Sequence, residues 1–149
     1  MDHTTPSLPP AIQQVLARFQ AMAREEKMQA LVAYAKRLEP VPERFASLDR
    51  AAFTVPECQT RVDLFSELRD GNMHFWADVN VRQSPTVAAF LSITLSAVNG
   101  QPPATTLAIP ADFVSVMMSG LGLSAREVGL NALVSRLKRE ARAALDAGA

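Results

Sequence analysis

The amino-acid sequence predicts an α+β fold in one domain, with a small antiparallel sheet packed against several helices. Apolar residues recur at helical spacing over residues 12–38, alternate with polar residues over 60–80, and return to helical spacing from residue 84 onward. Residues 53–55 offer a third short strand. Helices, a hairpin and helices again are the order of elements expected of an α+β protein, and 149 residues fit a single domain.

Two helices are predicted before the hairpin. The first follows a flexible proline-rich leader, residues 1–10, and has Pro10 in its first turn, where its missing N–H costs nothing. The second begins in the charged run 24–27, which we expect to be solvated, and ends before Pro40; a helical turn follows at 43–48. We expect the second helix to bury Met28, Leu31, Val32, Ala35 and Leu38.

The dipeptide Asp70-Gly71 separates the two alternating segments and predicts a tight hairpin, because both central residues of such a turn need positive φ. Pairing Arg69 with Asn72 sets the register. The face expected to pack on helices pairs Val62 with Val79, Leu64 with Ala77, Ser66 with Phe75 and Leu68 with Met73. The other face pairs Arg61 with Asn80, Asp63 with Asp78, Phe65 with Trp76 and Glu67 with His74.

This second face is polar except for Phe65 and Trp76. We expect it to be hydrated, with water and Arg61 relieving the repulsion between Asp63 and Asp78. Two interpretations of the aromatic pair remain open: a terminal segment of the chain covers it, or it forms part of a surface for a partner.

The hairpin is followed by helices only. Ser84 and Pro85 suit the first two positions of an uncharged helix that ends at Asn99, which predicts the central buried helix. Short helices are expected around 104–108 and 111–119. A capping box at 124–127 begins a long last helix that we expect to bury Leu130, Leu133, Val134, Leu137, Ala141 and Leu145.

Composition and charge exclude several classes of protein. Fifteen basic and fifteen acidic residues cancel, which argues against a nucleic-acid partner. A single cysteine and two histidines, His3 and His74, provide neither an internal disulfide nor a metal site. The chain has no signal-peptide pattern and no apolar run of the ~20 residues that span a bilayer, so we expect a soluble cytoplasmic protein with no membrane partner.

Cys58 is the candidate reactive residue. It stands between Glu57 and Gln59 rather than in an apolar run, so a reactive loop thiol and a passive buried cysteine both remain open. A Cys–His catalytic pair is disfavoured, because the predicted register places His74 opposite Glu67. That position is about 30 Å along the strand from Cys58, against a hydrogen-bond reach of about 3 Å. A self-sufficient thiol enzyme is therefore the weakest hypothesis.

The segment Val55-Pro56-Glu57-Cys58-Gln59-Thr60-Arg61-Val62 resembles the active-site loop of the SufE/CsdE family of sulfur-acceptor proteins. The resemblance extends over about residues 12–140. Four other segments resemble the family in the same order: Glu25-Glu26-Lys27 with Leu31-Val32 and Arg37-Leu38, His74-Phe75-Trp76-Ala77-Asp78, Asn99-Gly100-Gln101-Pro102-Pro103, and Leu121 to Arg126 with Gly129-Leu130. The chain departs from the family pattern at Glu57, Thr60, Asp63, Asn80 and Glu127.

The resemblance implies a persulfide carrier that takes sulfane sulfur from a cysteine desulfurase onto Cys58 and stimulates that enzyme. The sulfur would pass to an iron–sulfur scaffold. No cofactor is expected on this chain, since the pyridoxal phosphate belongs to the desulfurase. Glu57 disfavours the neighbouring thiolate, whereas Arg61 and Arg126 are expected to support it. The alternative is a non-catalytic partner-binding module of the same fold, acting through the Phe65–Trp76 face or the Cys58 loop.

Overall fold

The computed structural model describes residues 8–56, 60–121 and 126–148. Its helices and strands, in chain order, are α1 (Pro10–Ala21), α2 (Arg24–Ala35), β1 (Asp63–Arg69), β2 (Asn72–Asp78), α3 (Pro85–Val98), α4 (Pro103–Leu107), α5 (Phe113–Met117) and α6 (Glu127–Gly148). Two 3₁₀ turns, Glu43–Phe45 and Arg50–Ala52, lie between α2 and β1. The predicted α+β class is confirmed.

The hairpin has the predicted register, with every pair from Asp63–Asp78 to Arg69–Asn72 in place. Asp70 and Gly71 adopt φ values of 52° and 81°, as the Asp-Gly turn requires. The predicted third strand is reduced to a single bridge between Thr54 and Asp63. It therefore adds one short contact to the outer edge of β1.

The other edge of the hairpin is covered by the turn that follows α3. The N–H of Met73 donates to the Gln101 carbonyl at 2.8 Å, and the N–H of Gly100 donates to the Met73 carbonyl at 2.9 Å. The Asn99 side chain bonds both the N–H and the carbonyl of Phe75, at 2.7 and 3.1 Å. These bonds satisfy backbone groups that an open sheet edge would leave unpaired.

Helix α3 is the centre of the fold, as predicted. It packs against α1, α2 and β2, while α6 packs against α4, α5 and β1. Because α3 carries no charged side chain, it can be buried on nearly all sides without the cost of removing a charge from water. No helix within the described ranges is both long and apolar enough to cross a membrane.

The predicted buried face of α2 is partly wrong. Leu31 and Ala35 are buried, but Met28 and Val32 are 45% and 56% exposed. The buried stripe instead runs through Lys27, whose Nζ donates to the Ser119 carbonyl at 3.0 Å. Residues four apart share a helix face, and the long Lys stem packs against apolar groups while its amine bonds a carbonyl.

Two further burial predictions are wrong at the ends of elements. Leu68 is 44% exposed although it shares the apolar face of β1, because it lies beside the turn. Leu145 is 40% exposed in the last turns of α6. Residues 124 and 125 of the predicted capping box, and residues 1–7 of the predicted leader, lie outside the described residues.

Leu64 and Leu68 provide a matched test of the hairpin. Leu64→Asp should cost about 3 kcal/mol or more of unfolding free energy, because Leu64 is 3% exposed and the new carboxylate would be buried without a partner. Leu68→Asp places the same change on the same face at an exposed position and should cost under about 1 kcal/mol. Urea denaturation of both variants measures the difference, and equal losses would contradict the observed packing.

Candidate functional site

Cys58 and Glu57 lie outside the described residues, so the candidate site is built from the chain on either side of them. Val55 and Val62 are 1% and 0% exposed, and the Val55 N–H donates to the Val62 carbonyl at 2.9 Å. Thr60 and Ser84 share a hydroxyl hydrogen bond of 2.8 Å, which ties the chain after Cys58 to the start of α3. The segment that carries the cysteine is therefore held at both ends.

Asp63 is a buried link at the base of this segment. Its carboxylate accepts a hydrogen bond from the Thr54 hydroxyl, and its Oδ2 lies 3.5 Å from Nε of Arg61. The expectation of a hydrated Asp63–Asp78 face is wrong at Asp63, which is 3% exposed, because residues 53–55 run beside β1 and cover it. Asp63 thus connects a residue before Cys58 to a residue after it.

Arg136 of α6 holds the same segment from the other side. Its Nη2 donates to the Ala52 carbonyl at 2.8 Å, and its Nη1 donates to the Thr54 carbonyl at a longer 3.4 Å. Its Nε lies 3.6 Å from a carboxylate oxygen of Glu140, one helical turn further on. The sequence did not predict this contact of Arg136. The only signal for it is that Arg136 is a charged residue next to Leu137, which faces the core.

A groove of about 360 Å³ lies between residues 51–56 and α6, and Arg136 and Arg139 line its helical side. The side chain of Arg61 is 68% exposed, and its Nε forms an ion pair with Asp63. Arg126 is exposed at the residue before α6 begins. The predicted influence of Arg61, Arg126 and Glu57 on Cys58 remains a prediction.

The aromatic pair on the outer face of the hairpin is covered by the chain itself. Phe65 and Trp76 are 1% and 4% exposed. Phe45 stacks on Phe65 with ring centres 4.9 Å apart, Phe53 stacks on the same ring at 4.8 Å, and Val41 packs against the cluster. The pair is therefore covered, as one of the two interpretations expected, but by an internal segment rather than a terminal one, and the Phe65–Trp76 partner surface is wrong.

A second cleft, of about 440 Å³, opens beside Trp76. Glu67 lies opposite His74 across the hairpin, as predicted, but the hydrogen bond of His74 Nε2 is to an oxygen of Glu39, at 2.9 Å. The other Glu39 oxygen accepts a hydrogen bond of 2.9 Å from the Trp76 indole N–H. Glu67 is instead paired with Arg44, which approaches within 2.9 Å.

Four influences act on the ionisation of Glu39. Partial burial raises the pKa of Glu39, but hydrogen bonds from Trp76 and His74, together with the His74 charge, outweigh it and lower the pKa below its ordinary 4.5. A carboxylate with a lowered pKa in the folded chain stabilises the fold while it is ionised.

Within the described ranges, no group of three or more His, Cys, Asp or Glu residues is placed to hold a metal ion.

Asp63→Ala tests the buried link. The substitution should cost about 1–3 kcal/mol of unfolding free energy, because it removes a buried acceptor and leaves the Thr54 hydroxyl without this partner. Asp78→Ala, at the exposed position directly across the hairpin, should cost less than about 1 kcal/mol. Thermal and urea unfolding measure both, and a neutral Asp63→Ala would mean that the carboxylate is hydrated after all.

Glu39→Gln tests the Trp76–His74 contact by its pH dependence. The pKa of Glu39 is lower in the folded chain than in the unfolded chain, where it is 4.5, so the ionised carboxylate stabilises the fold at pH values above 4.5. As the pH falls through the lower pKa of the folded chain, wild type loses this extra stability relative to Glu39→Gln. The side chain is 53% exposed, so solvent screening keeps the effect below about 1 kcal/mol.

The measurement is the unfolding free energy of wild type and Glu39→Gln from about pH 6 to about pH 3. Glu43→Gln, which removes an exposed carboxylate outside the cleft, is the matched control. A wild-type advantage that grows as the pH falls would contradict the assigned sign.

The amino-acid chain of this protein is similar to known proteins over nearly its whole length. A family model described as SufE: Fe-S metabolism associated domain matches residues 13–141. Two uncharacterized SufE-like proteins of Mycobacterium tuberculosis, from strains CDC 1551 / Oshkosh and ATCC 25618 / H37Rv, are each 32% identical over 142 residues, covering 93% of this chain and 96% of their own.

Structural comparison agrees with the sequence comparisons. The solution structure of a hypothetical protein from Thermus thermophilus superposes with a TM-score of 0.80 at 27% identity, covering 94% of this chain and 99% of that one. The resemblance predicted from the sequence is therefore confirmed. The chain belongs to the SufE family, which is associated with iron–sulfur metabolism.

Proposed function

We propose that this chain is a sulfur acceptor, and that Cys58 takes sulfane sulfur from the persulfide of a cysteine desulfurase. The observation that supports this most is the attachment of the Cys58 segment at both ends, through the Val55–Val62 pair and the Thr60–Ser84 hydrogen bond. A thiol on a short loop with fixed ends can be presented to a partner protein in a limited range of positions. The resemblance of residues 55–62 to the active-site loop of the SufE/CsdE family implies that the chemistry of this loop is sulfur transfer.

The proposed reaction exchanges one sulfur–sulfur bond for another. The Cys58 thiolate attacks the terminal sulfur of the desulfurase persulfide, and the new bond forms as the old one breaks. The electron pair of the broken bond returns to the desulfurase cysteine, which leaves as a thiolate. No external oxidant or reductant is consumed, because the sulfane sulfur is moved without a net change in oxidation.

The composition of the chain suits a carrier of this kind. Cys58 is its only cysteine, so a persulfide on Cys58 cannot be lost by closing an internal disulfide. Arg61, exposed beside the loop, and Arg126, exposed before α6, are proposed to favour the thiolate or contact the desulfurase. The pyridoxal phosphate is proposed to be the desulfurase's, and an iron–sulfur scaffold to be the recipient.

The alternative function is a partner-binding module without sulfur chemistry. Two surfaces were predicted for it, and one of them is not available for binding. The Phe65–Trp76 pair is buried, so the Cys58 loop is the surface that remains to this alternative. Both functions then use the same part of the molecule. They differ in whether the thiol is modified.

Intact-mass measurement after incubation with a cysteine desulfurase and cysteine, without reductant, separates the two. We expect wild type to gain one sulfur atom, because its single thiol is the only acceptor, and Cys58→Ser to gain none. Cys58→Ser should keep its affinity for the desulfurase, which serves as the control for docking. A wild-type chain that binds the desulfurase tightly but stays unmodified would favour the binding module.

A further inference from the structure

The contact between Arg136 and the chain before Cys58 crosses from one end of the sequence to the middle. Arg136 is separated from Thr54 by 82 residues and from Ala52 by 84, yet it bonds the backbone carbonyls of both. Its side chain is 11% exposed. The helix that carries it is fixed to the core by Leu133 and Leu137, which are both 0% exposed. Arg136 therefore attaches residues 52–54 to a rigid part of the fold.

Arg136 adds to a short backbone attachment of the residues that it holds. Residues 53–55 pair with β1 through one bridge, and two backbone hydrogen bonds flank it, from the Val55 N–H to the Val62 carbonyl and from the Leu64 N–H to the Phe53 carbonyl. A guanidinium group is planar and has five N–H donors in a fixed fork, so two of its nitrogens can each bond a different carbonyl, whereas all donors of a lysine are on one nitrogen. The negatively charged carboxylate of Glu140 lies beside Nε of Arg136 and attracts the positive guanidinium group.

Arg136 is also the first member of a series of polar contacts that joins residues before Cys58 to a residue after it. Thr54 accepts from Arg136 through its carbonyl and donates to Asp63 through its hydroxyl, and Asp63 in turn contacts Arg61. This series begins on α6, reaches the residues before Cys58 and ends at a residue after it. A change at Arg136 is thus transmitted to the anchored base of the segment.

We propose that Arg136 is a positioning residue for sulfur transfer, fixing the backbone that leads to Cys58 so that a desulfurase meets the thiol in one orientation. This inference rests on the proposed function. Arg136 acts through Ala52 and Thr54 rather than on the reacting sulfur atoms. A protein donor depends on that orientation, whereas a small alkylating reagent reaches the thiol from many directions.

The experiment compares these two kinds of reagent on the same variants. Arg136→Ala removes both carbonyl bonds, and Arg136→Lys keeps the charge without the fork. Arg139→Ala is the control, since Arg139 lines the same groove but its side chain is 67% exposed. The rate of sulfur transfer from a purified cysteine desulfurase supplied with cysteine is measured beside the rate of Cys58 alkylation by iodoacetamide. Both rates are corrected for the folded fraction.

We expect sulfur transfer to fall about tenfold in Arg136→Ala, less in Arg136→Lys, and by under about twofold in Arg139→Ala. Alkylation should stay within about twofold of wild type in all three, because it does not need an oriented thiol. Amide hydrogen exchange gives a readout that needs no partner. The N–H groups of Val55 and Leu64, which bond the carbonyls of Val62 and Phe53, should exchange about tenfold faster in Arg136→Ala, while those of β2 are unchanged.

Transfer by Arg136→Ala within about twofold of wild type would overturn the proposal. So would a loss of transfer that equals the unfolded fraction before the correction for folded fraction and disappears after it, since that would show a role in stability alone. If wild type itself accepts no sulfur, the proposed function fails, and the exchange of Val55 and Leu64 still decides whether Arg136 fixes the segment. Unchanged exchange would overturn that anchoring.

Discussion

The register of the β1–β2 hairpin is the constraint on which the rest of the structure depends. Successive strand residues point to opposite faces, so a slip of one residue would move Leu64 and Phe75 away from the helices and place Phe65 and Trp76 there instead. The Asp70-Gly71 turn fixes the register locally, and the apolar face that packs toward α3 fixes it again through burial. The two requirements agree, which leaves one arrangement of the sheet.

The outer face of the hairpin then requires a cover. Phe65 and Trp76 are large aromatic side chains on a face with no helix from the main core, and Phe45 and Phe53 of the preceding segment stack over them. Stacked and tilted aromatic contacts stabilise such a cluster beyond the area that they bury. The chain that forms this cover continues directly into the residues before Cys58. One segment therefore covers the outer face of the sheet and leads along the chain to Cys58.

Polar contacts complete the attachment of that segment where apolar packing ends. Asp63 is buried beside Thr54 and Arg61, and Arg136 bonds two carbonyls from the α6 side. Buried polar groups are tolerated when they are hydrogen-bonded, and such networks permit fewer geometries than apolar contacts do. In the function that we propose, this restriction limits the positions from which Cys58 meets another protein.

The sequence alone determined the α+β class, the hairpin and its register, the central helix α3 and the candidate Cys58, because each rests on local spacing, turn chemistry or a recognisable segment. It also placed Arg61 beside the loop that contains Cys58. Only the tertiary structure decided that Lys27 and Asp63 are buried, that Glu39 is hydrogen-bonded to His74, and that Arg136 bonds the carbonyls of Ala52 and Thr54. Those contacts join residues far apart in the chain or depend on what covers an exposed-looking face. A charged side chain has the same local pattern whether it meets water or a distant carbonyl, so its partner is known only once the helices and the hairpin are packed.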